Sequence, residues 1–408
     1  MKKRIAFLVA AVLLMTTVFA ACGSKPAPSA APSAQPNAET TTKPNDGSLT
    51  IPDDFKVGVI HIGNPADGAG YSYAHDQGIV AMQKNLGLRD DQIVRKINIG
   101  DTDSAATRTA IEECIEAGCK IIFATSYGYM DTMATMAEEY PDIYFSHGTG
   151  YKSNDTNFNN YFGRIYQARY LAGIAAGLRT QTNKIGYVAA QPISNSEVTG
   201  GIDAFAKGVA AVNPEAQVYV KVTNTWFDLA LEGSTAEALI DLGCDVIAQH
   251  CDTTAPQIAA EHAGVWGCGY NSDMTESAPN AHLTAPIWNW GVYYTTAVKA
   301  VLEGKWKELG NYFGGLKEGF VDISPLTKNC VEGTQEIIDQ VKELIINGEF
   351  GVFDGKQVVV DENGKVSLVD EALVDNQGNV IVEAGGPCLD DATIQGGINW
   401  YYENVVLQ

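Results

Sequence analysis

Positive charge is scarce in this chain of 408 residues: 27 Lys and Arg stand against 49 Asp and Glu, a formal net charge of −22. A surface that acidic repels phosphate backbones, which removes nucleic acid from the expected partners. No basic cluster lies near the stretches that could bind a ligand, so an anionic small molecule is disfavoured too. A G-x-S-x-G elbow, a Walker loop and a G-x-G-x-x-G fingerprint are all missing, and with them the usual markers of nucleophilic and dinucleotide chemistry. Repeated C-x-x-C spacing is missing as well. Besides Cys22 there are seven cysteines, Cys114, Cys119, Cys244, Cys251, Cys268, Cys330 and Cys388. A chain this long makes its own core, so a disulfide-built fold is not expected. Most of the seven read as small buried residues, and Cys330 with Cys388 is the pair to test for one surface bridge. After the first 21 residues no run is apolar and long enough for a membrane helix.

Those first residues have the opposite character. Met1-Lys2-Lys3-Arg4 is followed by an uncharged apolar run from Ile5 to Ala21 and then by Cys22-Gly23. A positive start, a short apolar core and small residues before a cysteine read as an export signal, residues 1–21, with Cys22 as the lipidated first residue of the mature chain. Residues 22–52 are dominated by Ala, Pro, Ser, Thr, Gln and Asn. They cannot bury enough surface to fold, and read as a flexible tether holding a soluble domain at the membrane through its lipid alone. The expected location is extracytoplasmic.

From Lys56 the pattern becomes regular. The apolar run Val57–Ile62, a loop with three glycines and a helical segment from Tyr71 to Leu86 form an opening strand–loop–helix unit. Strands at 93–99, 120–125 and 142–147 then alternate with helices at 104–117 and 129–140, which implies right-handed βαβ units and a parallel sheet. After a short strand at 157–163 and a helix at 165–178 rich in Ala and Gly, suited to close packing on a sheet, the same rhythm starts again at Lys184. The spacing predicts an α/β fold of two similar parallel-sheet lobes joined by a hinge, with a cleft between them. Lobe 1 is expected over 53–165 plus about 288–325, including a strand over 314–323. Lobe 2 is expected over 166–287 plus about 326–408, where Asp354-Gly355, Asn363-Gly364 and Gln377-Gly378 signal hairpins of a small C-terminal β appendage.

In parallel sheets ligands sit beyond the carboxyl ends of the strands. Those positions hold Tyr71 to His75, Ser126 to Tyr129, Gln191 to Glu197, Asn224 to Asp228, His250 to Thr254 and Tyr270 to Asp273. Aromatic faces with neutral amides, hydroxyls and a few carboxylates suit a flat heterocycle: stacking on an aromatic ring contributes roughly 1–3 kcal/mol per base. Each residue also has a plainer reading. Tyr71 and Trp226 could be core, Phe227 reads as buried, Asp252 could cap a helix starting near Thr254, and Asp273 could be an ordinary loop carboxylate. His250, Cys251, Asp252 and His262 match no metal-ligand spacing, so neither metal nor cofactor is expected. An Asp-based nucleoside hydrolase would need an acidic cluster at one strand end, and none is visible.

Five blocks taken together carry a resemblance. They are Gly70-Tyr71-Ser72-Tyr73-Ala74-His75-Asp76, residues 125–131 (T-S-Y-G-Y-M-D), His147-Gly148-Thr149-Gly150-Tyr151-Lys152, Asn224-Thr225-Trp226-Phe227-Asp228 and residues 249–254 (Q-H-C-D-T-T). With them the chain resembles the basic membrane protein (Bmp or Med-like) family of lipoproteins, substrate-binding components of ABC importers for purine nucleosides or bases. The resemblance implies a non-enzymatic binding protein that closes on a purine and serves a permease and an ATPase, most simply as a monomer. It implies Tyr71 as a stacking aromatic with Ser72 beside it, Trp226 as the opposing aromatic and Asp273 as an acidic ligand contact. Tyr127 and Asp252 fall in matching loops. One departure bears on selectivity: where the family commonly carries a ribose-reaching lysine after Leu-Thr, this chain runs His282-Leu283-Thr284-Ala285-Pro286-Ile287-Trp288. A free base such as adenine is then as plausible a ligand as a nucleoside. The alternative to import is a sensory receptor domain of the same fold.

Overall fold

A computed structural model describes residues 49–408; the expected signal, the lipidated Cys22 and most of the tether lie outside them. The first half of the described chain runs β1 (Lys56–Ile60), α1 (Gly70–Leu86), β2 (Ile93–Lys96), α2 (Ser104–Glu116), β3 (Cys119–Ala124), α3 (Met130–Glu139), β4 (Tyr144–Gly148), β5 (Phe158–Gly163) and α4 (Ile165–Arg179). The alternation then resumes with β6 (Lys184–Ala189), α5 (Ser196–Val212), β7 (Gln217–Val222), α6 (Leu229–Asp241), β8 (Val246–His250), α7 (Ala255–Ala263), β9 (Trp266–Cys268) and β10 (His282–Thr284). Next come β11 (Pro286–Trp288), α8 (Trp290–Leu302), α9 (Trp306–Leu309), β12 (Tyr312–Gly314), β13 (Val321–Ile323) and α10 (Thr334–Ile346). The remainder is β14 (Lys356–Val360), β15 (Val366–Asp370), β16 (Leu373–Val374), β17 (Val380–Val382), α11 (Asp391–Gly396) and β18 (Val405–Leu407).

Two six-stranded sheets result, ordered β12-β5-β4-β3-β1-β2 and β10-β9-β8-β6-β7-β18, with every pairing parallel. Their central strands are apolar on both faces, with Val57, Ile121, Phe123, Ile185, Val188 and Ile247 all inaccessible, as strands covered by helices on two sides must be. The chain passes between the sheets three times: after β5, between β10 and β12, and between β12 and the C-terminal strand of the second sheet. The last two passages travel together as an antiparallel ribbon, β11 against β13, with Trp288 opposite Val321.

Two details differ from the sequence reading. The strand expected over 314–323 is two short ones: β12 joins the edge of the first sheet, and β13 belongs to the ribbon. The small residues of α4 also meet a helix rather than a sheet. A Cβ on Gly173 would lie 2.1 Å from the Phe205 carbonyl oxygen of α5, and one on Gly208 equally close to that of Tyr170, so the two helices pack backbone to backbone. The C-terminal hairpins are present, β14 with β15 and β16 with β17, and β18 is stitched into the second sheet beside β7. Buried Lys207 of α5 donates to the carbonyls of Val352, Asp354 and Lys356, and Asp203 accepts from the Tyr402 amide. The seven described cysteines are free thiols; Cys330 and Cys388, the pair favoured for a bridge, lie separately against the Leu283 and Gly351 carbonyls.

Candidate functional site

The loop after β1 and the loop after β8 meet across the cleft. Gly70 opens α1 at φ +81°, and its Cα faces the Asp252 backbone so closely that a Cβ would stand 2.4 Å from the carbonyl oxygen. The next residue, Tyr71, sends its hydroxyl to the Thr125 carbonyl at the end of β3. Its ring lies edge-on to His75, with centroids 4.4 Å apart. His75 in turn begins a column of stacked rings: His75 on Trp290 at 3.9 Å, Trp290 on Trp288 at 4.5 Å and Trp288 on Phe162 at 5.0 Å. The Trp288 indole N–H donates to the Tyr270 hydroxyl, and the Arg169 guanidinium lies 4.1 Å above the Tyr270 ring. Trp288 therefore fills with an aromatic wall the region where the resemblance placed a cation.

On the second lobe the two candidate loops are tied to each other. Asp252 donates its amide to the Trp226 carbonyl at 2.9 Å and accepts at Oδ1 from Asn271 Nδ2 at 2.8 Å. Fully buried Glu232 accepts from the Asp228 amide with one oxygen and from the Thr253 amide and hydroxyl with the other. Its carboxylate thus holds the loop that carries Trp226 to the loop that carries Asp252. The helix after Asp252, α7, has Thr254 at its N-cap and no side-chain cap, so the Asp252 carboxylate does not close a helix end and is engaged by Asn271 instead. Trp226 is half-buried and edge-on to His250 at 5.8 Å; among the described residues it makes no ring contact with Tyr71. Phe227, expected inside, is 60% exposed. It precedes Asp228, the N-cap of α6, and its amide turns back to the Thr225 hydroxyl, which directs the ring outward.

The remaining candidates are engaged locally. Ser72 Oγ accepts from the Gly63 amide at 3.0 Å and so fixes the loop that delivers Tyr71. Asp273 accepts from the amide and hydroxyl of Thr275, stands 3.7 Å from the His282 ring and keeps its side chain half exposed. Tyr127 is 53% exposed and lines a cavity of about 350 Å³ between the lobes. That cavity takes Thr149, Phe162 and Phe313 from the first sheet's side, Ser194 to Glu197 from the loop after β6, and Ile394 to Gly396 from α11.

Two important residues, Glu197 and Arg169, are not singled out in the sequence, although Glu197 closes one of the loops that the strand pattern points to. Glu197, in the first turn of α5, keeps 24% of its side chain exposed at the cavity and reaches 3.6 Å from the buried His250 ring. Burial pushes its carboxyl up to about 7, with Arg169 pulling the other way. Asp252 is likewise pushed up to about 7, chiefly by burial; the Asn271 hydrogen bond and Arg169 oppose this, while Glu232 and Glu197 add to it. Arg169, 1% exposed, donates Nη1 to the Tyr187 hydroxyl and the Gln249 carbonyl. Its Nε and Nη2, both nitrogens of His250 and Asn271 Oδ1 make no hydrogen bond within the protein. The signal that could have found Arg169 is its place as a charge inside the largely apolar run of α4, whose other charge, Arg179, stands at the helix end. The arrangement can stack a flat ring and accept N–H groups on two carboxylates. Among the described residues no group of three or more His, Cys, Asp or Glu is placed to hold a metal, and no helix is long and apolar enough to cross a membrane.

Comparison with known proteins agrees with this architecture. The profile of the Bmp family, described as ABC transporter substrate-binding protein PnrA-like, matches residues 55–355. A purine-binding protein of Brucella abortus is 38% identical over 309 residues, covering 76% of this chain and 86% of that protein. A putative ABC transporter glucose-binding protein of Haloferax volcanii is 39% identical over 289 residues, covering 70% and 71%. Among solved structures, a solute-binding protein of an ABC transporter from Aeropyrum pernix superposes with a TM-score of 0.60 at 17% identity, over 76% of this chain and 94% of that one.

Proposed function

The chain belongs to the Bmp family of PnrA-like ABC transporter substrate-binding proteins, which bind solutes outside the cytoplasm and are not enzymes; from that premise we propose that its ligand is a purine, as base or nucleoside. The observation that carries the reading is the meeting of an aromatic wall (Tyr71, His75, Trp290, Trp288) with two carboxylates, Glu197 and Asp252, at the carboxyl ends of two facing parallel sheets. Half-buried Tyr71 offers a ring to the ligand, backed by the buried rings of His75, Trp290 and Trp288, and the carboxylates accept from amino and ring N–H groups of the heterocycle edge. Trp226 supplies the facing aromatic from the second lobe, Tyr127 borders the cleft mouth, and Ser72 holds the Tyr71 loop. In the purine-binding relative the ligand class is part of the name.

Calorimetry with adenine, adenosine, guanosine, inosine and glucose tests this. Saturable binding of a purine is expected; binding of glucose alone overturns the reading. The same titrations carry a pH signature. The folded protein holds protons on Glu197 and Asp252 more tightly than an unfolded chain does, so these groups' contribution to stability declines as pH rises from about 4 to about 7. A ligand that donates N–H groups needs the ionised carboxylates, so its binding releases protons in this window. Affinity is expected to fall between pH 8 and pH 6 by about tenfold for each carboxylate the ligand engages, about a hundredfold if it engages both, and to level off above about pH 8.

We further propose that Cys22 carries the lipid that holds the protein at the membrane. Cys22→Ser is expected to move the protein from the membrane fraction to the soluble one. Retention of the variant on membranes would show that the anchor lies elsewhere.

A further inference from the structure

Residues 356–408 lie beyond the span shared with the family, yet they wall the cleft. The short helix α11 places Ile394, Gln395 and Gly396 on the 350 Å³ cavity, opposite Tyr127 and Phe313. It is held there by Arg164, which sits at the first passage between the sheets. Arg164 Nε and Nη2 donate to Asp391 Oδ1 and Oδ2 at 3.1 and 2.5 Å, and its backbone amide donates to the Gly314 carbonyl of β12 at 2.7 Å. A bidentate pair of this kind fixes orientation as well as distance. On the next turn of chain, the Ile398 carbonyl accepts from the Ser196 hydroxyl at 3.0 Å, beside Glu197. The C-terminal segment is therefore tied both to the hinge and to the helix start that carries the cleft carboxylate.

We propose that this cavity is a subsite for an uncharged, hydroxyl-bearing substituent on the ring, the pentose of a nucleoside, and that Gln395 selects for it; the inference rests on the purine reading above. Its volume lies within the range of small-molecule sites. Glu197 is the one carboxylate on it, and the other polar lining groups, among them Thr149, Ser194, Asn195, Ser196 and Gln395, are uncharged hydroxyls and amides. Such groups exchange hydrogen bonds with neutral hydroxyls, and the faces of Phe162 and Phe313 suit the C–H surface of a sugar. Glu197 joins the two regions, because it lines the cavity and also lies 3.6 Å from the ring of His250, which ends the strand that leads to Asp252. A ring whose edge meets Asp252 extends past Glu197 into this cavity. Phe162 on this wall is itself stacked against the Trp288 indole, and the substituent is held from the C-terminal wall. Asp391 is a positioning residue, acting through α11.

The test compares adenosine with adenine on the full protein by calorimetry. In Gln395→Ala the ratio of nucleoside to base affinity is expected to fall about five- to tenfold. Ser194→Trp, which fills the cavity with an indole, lowers the ratio further. Asp391→Asn lowers the same ratio, a change that general loosening of the fold, weakening both ligands alike, does not produce. A ratio unchanged in all three variants, or an equal loss for both ligands, overturns the subsite while leaving the purine reading in place. Absence of binding of either ligand to the unsubstituted protein overturns the purine reading and the subsite together.

Discussion

Alanine in place of Gly70 is expected to weaken ligand binding about a hundredfold while leaving the protein folded. The added Cβ would stand 2.4 Å from the Asp252 carbonyl oxygen and 3.5 Å from its carbon, and neither is a side chain that can swing aside. The loops after β1 and β8 must then separate, which works against closure. Overlap with a fixed group costs about 1–3 kcal/mol, and the left-handed backbone at φ +81° adds a cost of similar size for any residue with a Cβ. A penalty of about 3 kcal/mol on the closed state lowers apparent affinity by roughly two orders of magnitude. Gly68→Ala separates the two causes. Gly68 also has a left-handed φ, +78°, but nothing lies within 4 Å of its Cβ position, so that variant carries local strain without the clash. Calorimetry on both variants, with small-angle scattering to follow closure, is the measurement. If Gly70→Ala binds as tightly as the unsubstituted protein and closes to the same radius, the contact is not part of the closed form.

Arg169→Met is expected to cost about 1–3 kcal/mol for each of the two buried acceptors left without a donor. The Tyr187 hydroxyl and the Gln249 carbonyl lose their donor, Tyr270 loses the cation above its ring, and nothing then opposes the effect of burial on Glu197. For a domain of this size the loss corresponds to a fall in melting temperature of about 5 °C. Adding Glu197→Gln removes the stranded charge and should recover part of the loss, so the two substitutions are expected to be non-additive. Equal and additive losses would mean that the guanidinium serves its hydrogen bonds alone and does not sense the carboxylate.

The fold was legible where its period was long. Strands such as Lys184–Ala189 and helices such as Ser196–Val212 span enough residues for apolar spacing to distinguish them, and both lobes follow from that alternation. The sheet edges were not legible. β12 and β18 have three residues each, too few for a period, and they are fixed by partners far away in sequence. The site divides in the same way. Tyr71, Trp226 and Asp252 stand at strand ends, a position topology dictates, whereas the use of Ser72 and Asp273 within their own loops depends on hydrogen bonds that spacing does not encode. Glu197 lay in a loop the strand pattern pointed to, but its burial beside Arg169 depends on how closely α4 and α5 approach. Gln395 could not be read at all, because its role depends on where Arg164 anchors α11.

The stitching of β18 beside β7 has a kinetic consequence. Val405 pairs with Val218 and Tyr312 with Tyr161, so each sheet receives an edge strand across a chain separation of well over a hundred residues. Closing loops that long is slow, and parallel pairing gives no reward until the ends meet. During that delay the Gln217–Val222 edge presents unpaired amides and carbonyls, a template for another chain. The second lobe should therefore be the last to mature and the first to aggregate, and it would gain most from a chaperone that shields one strand.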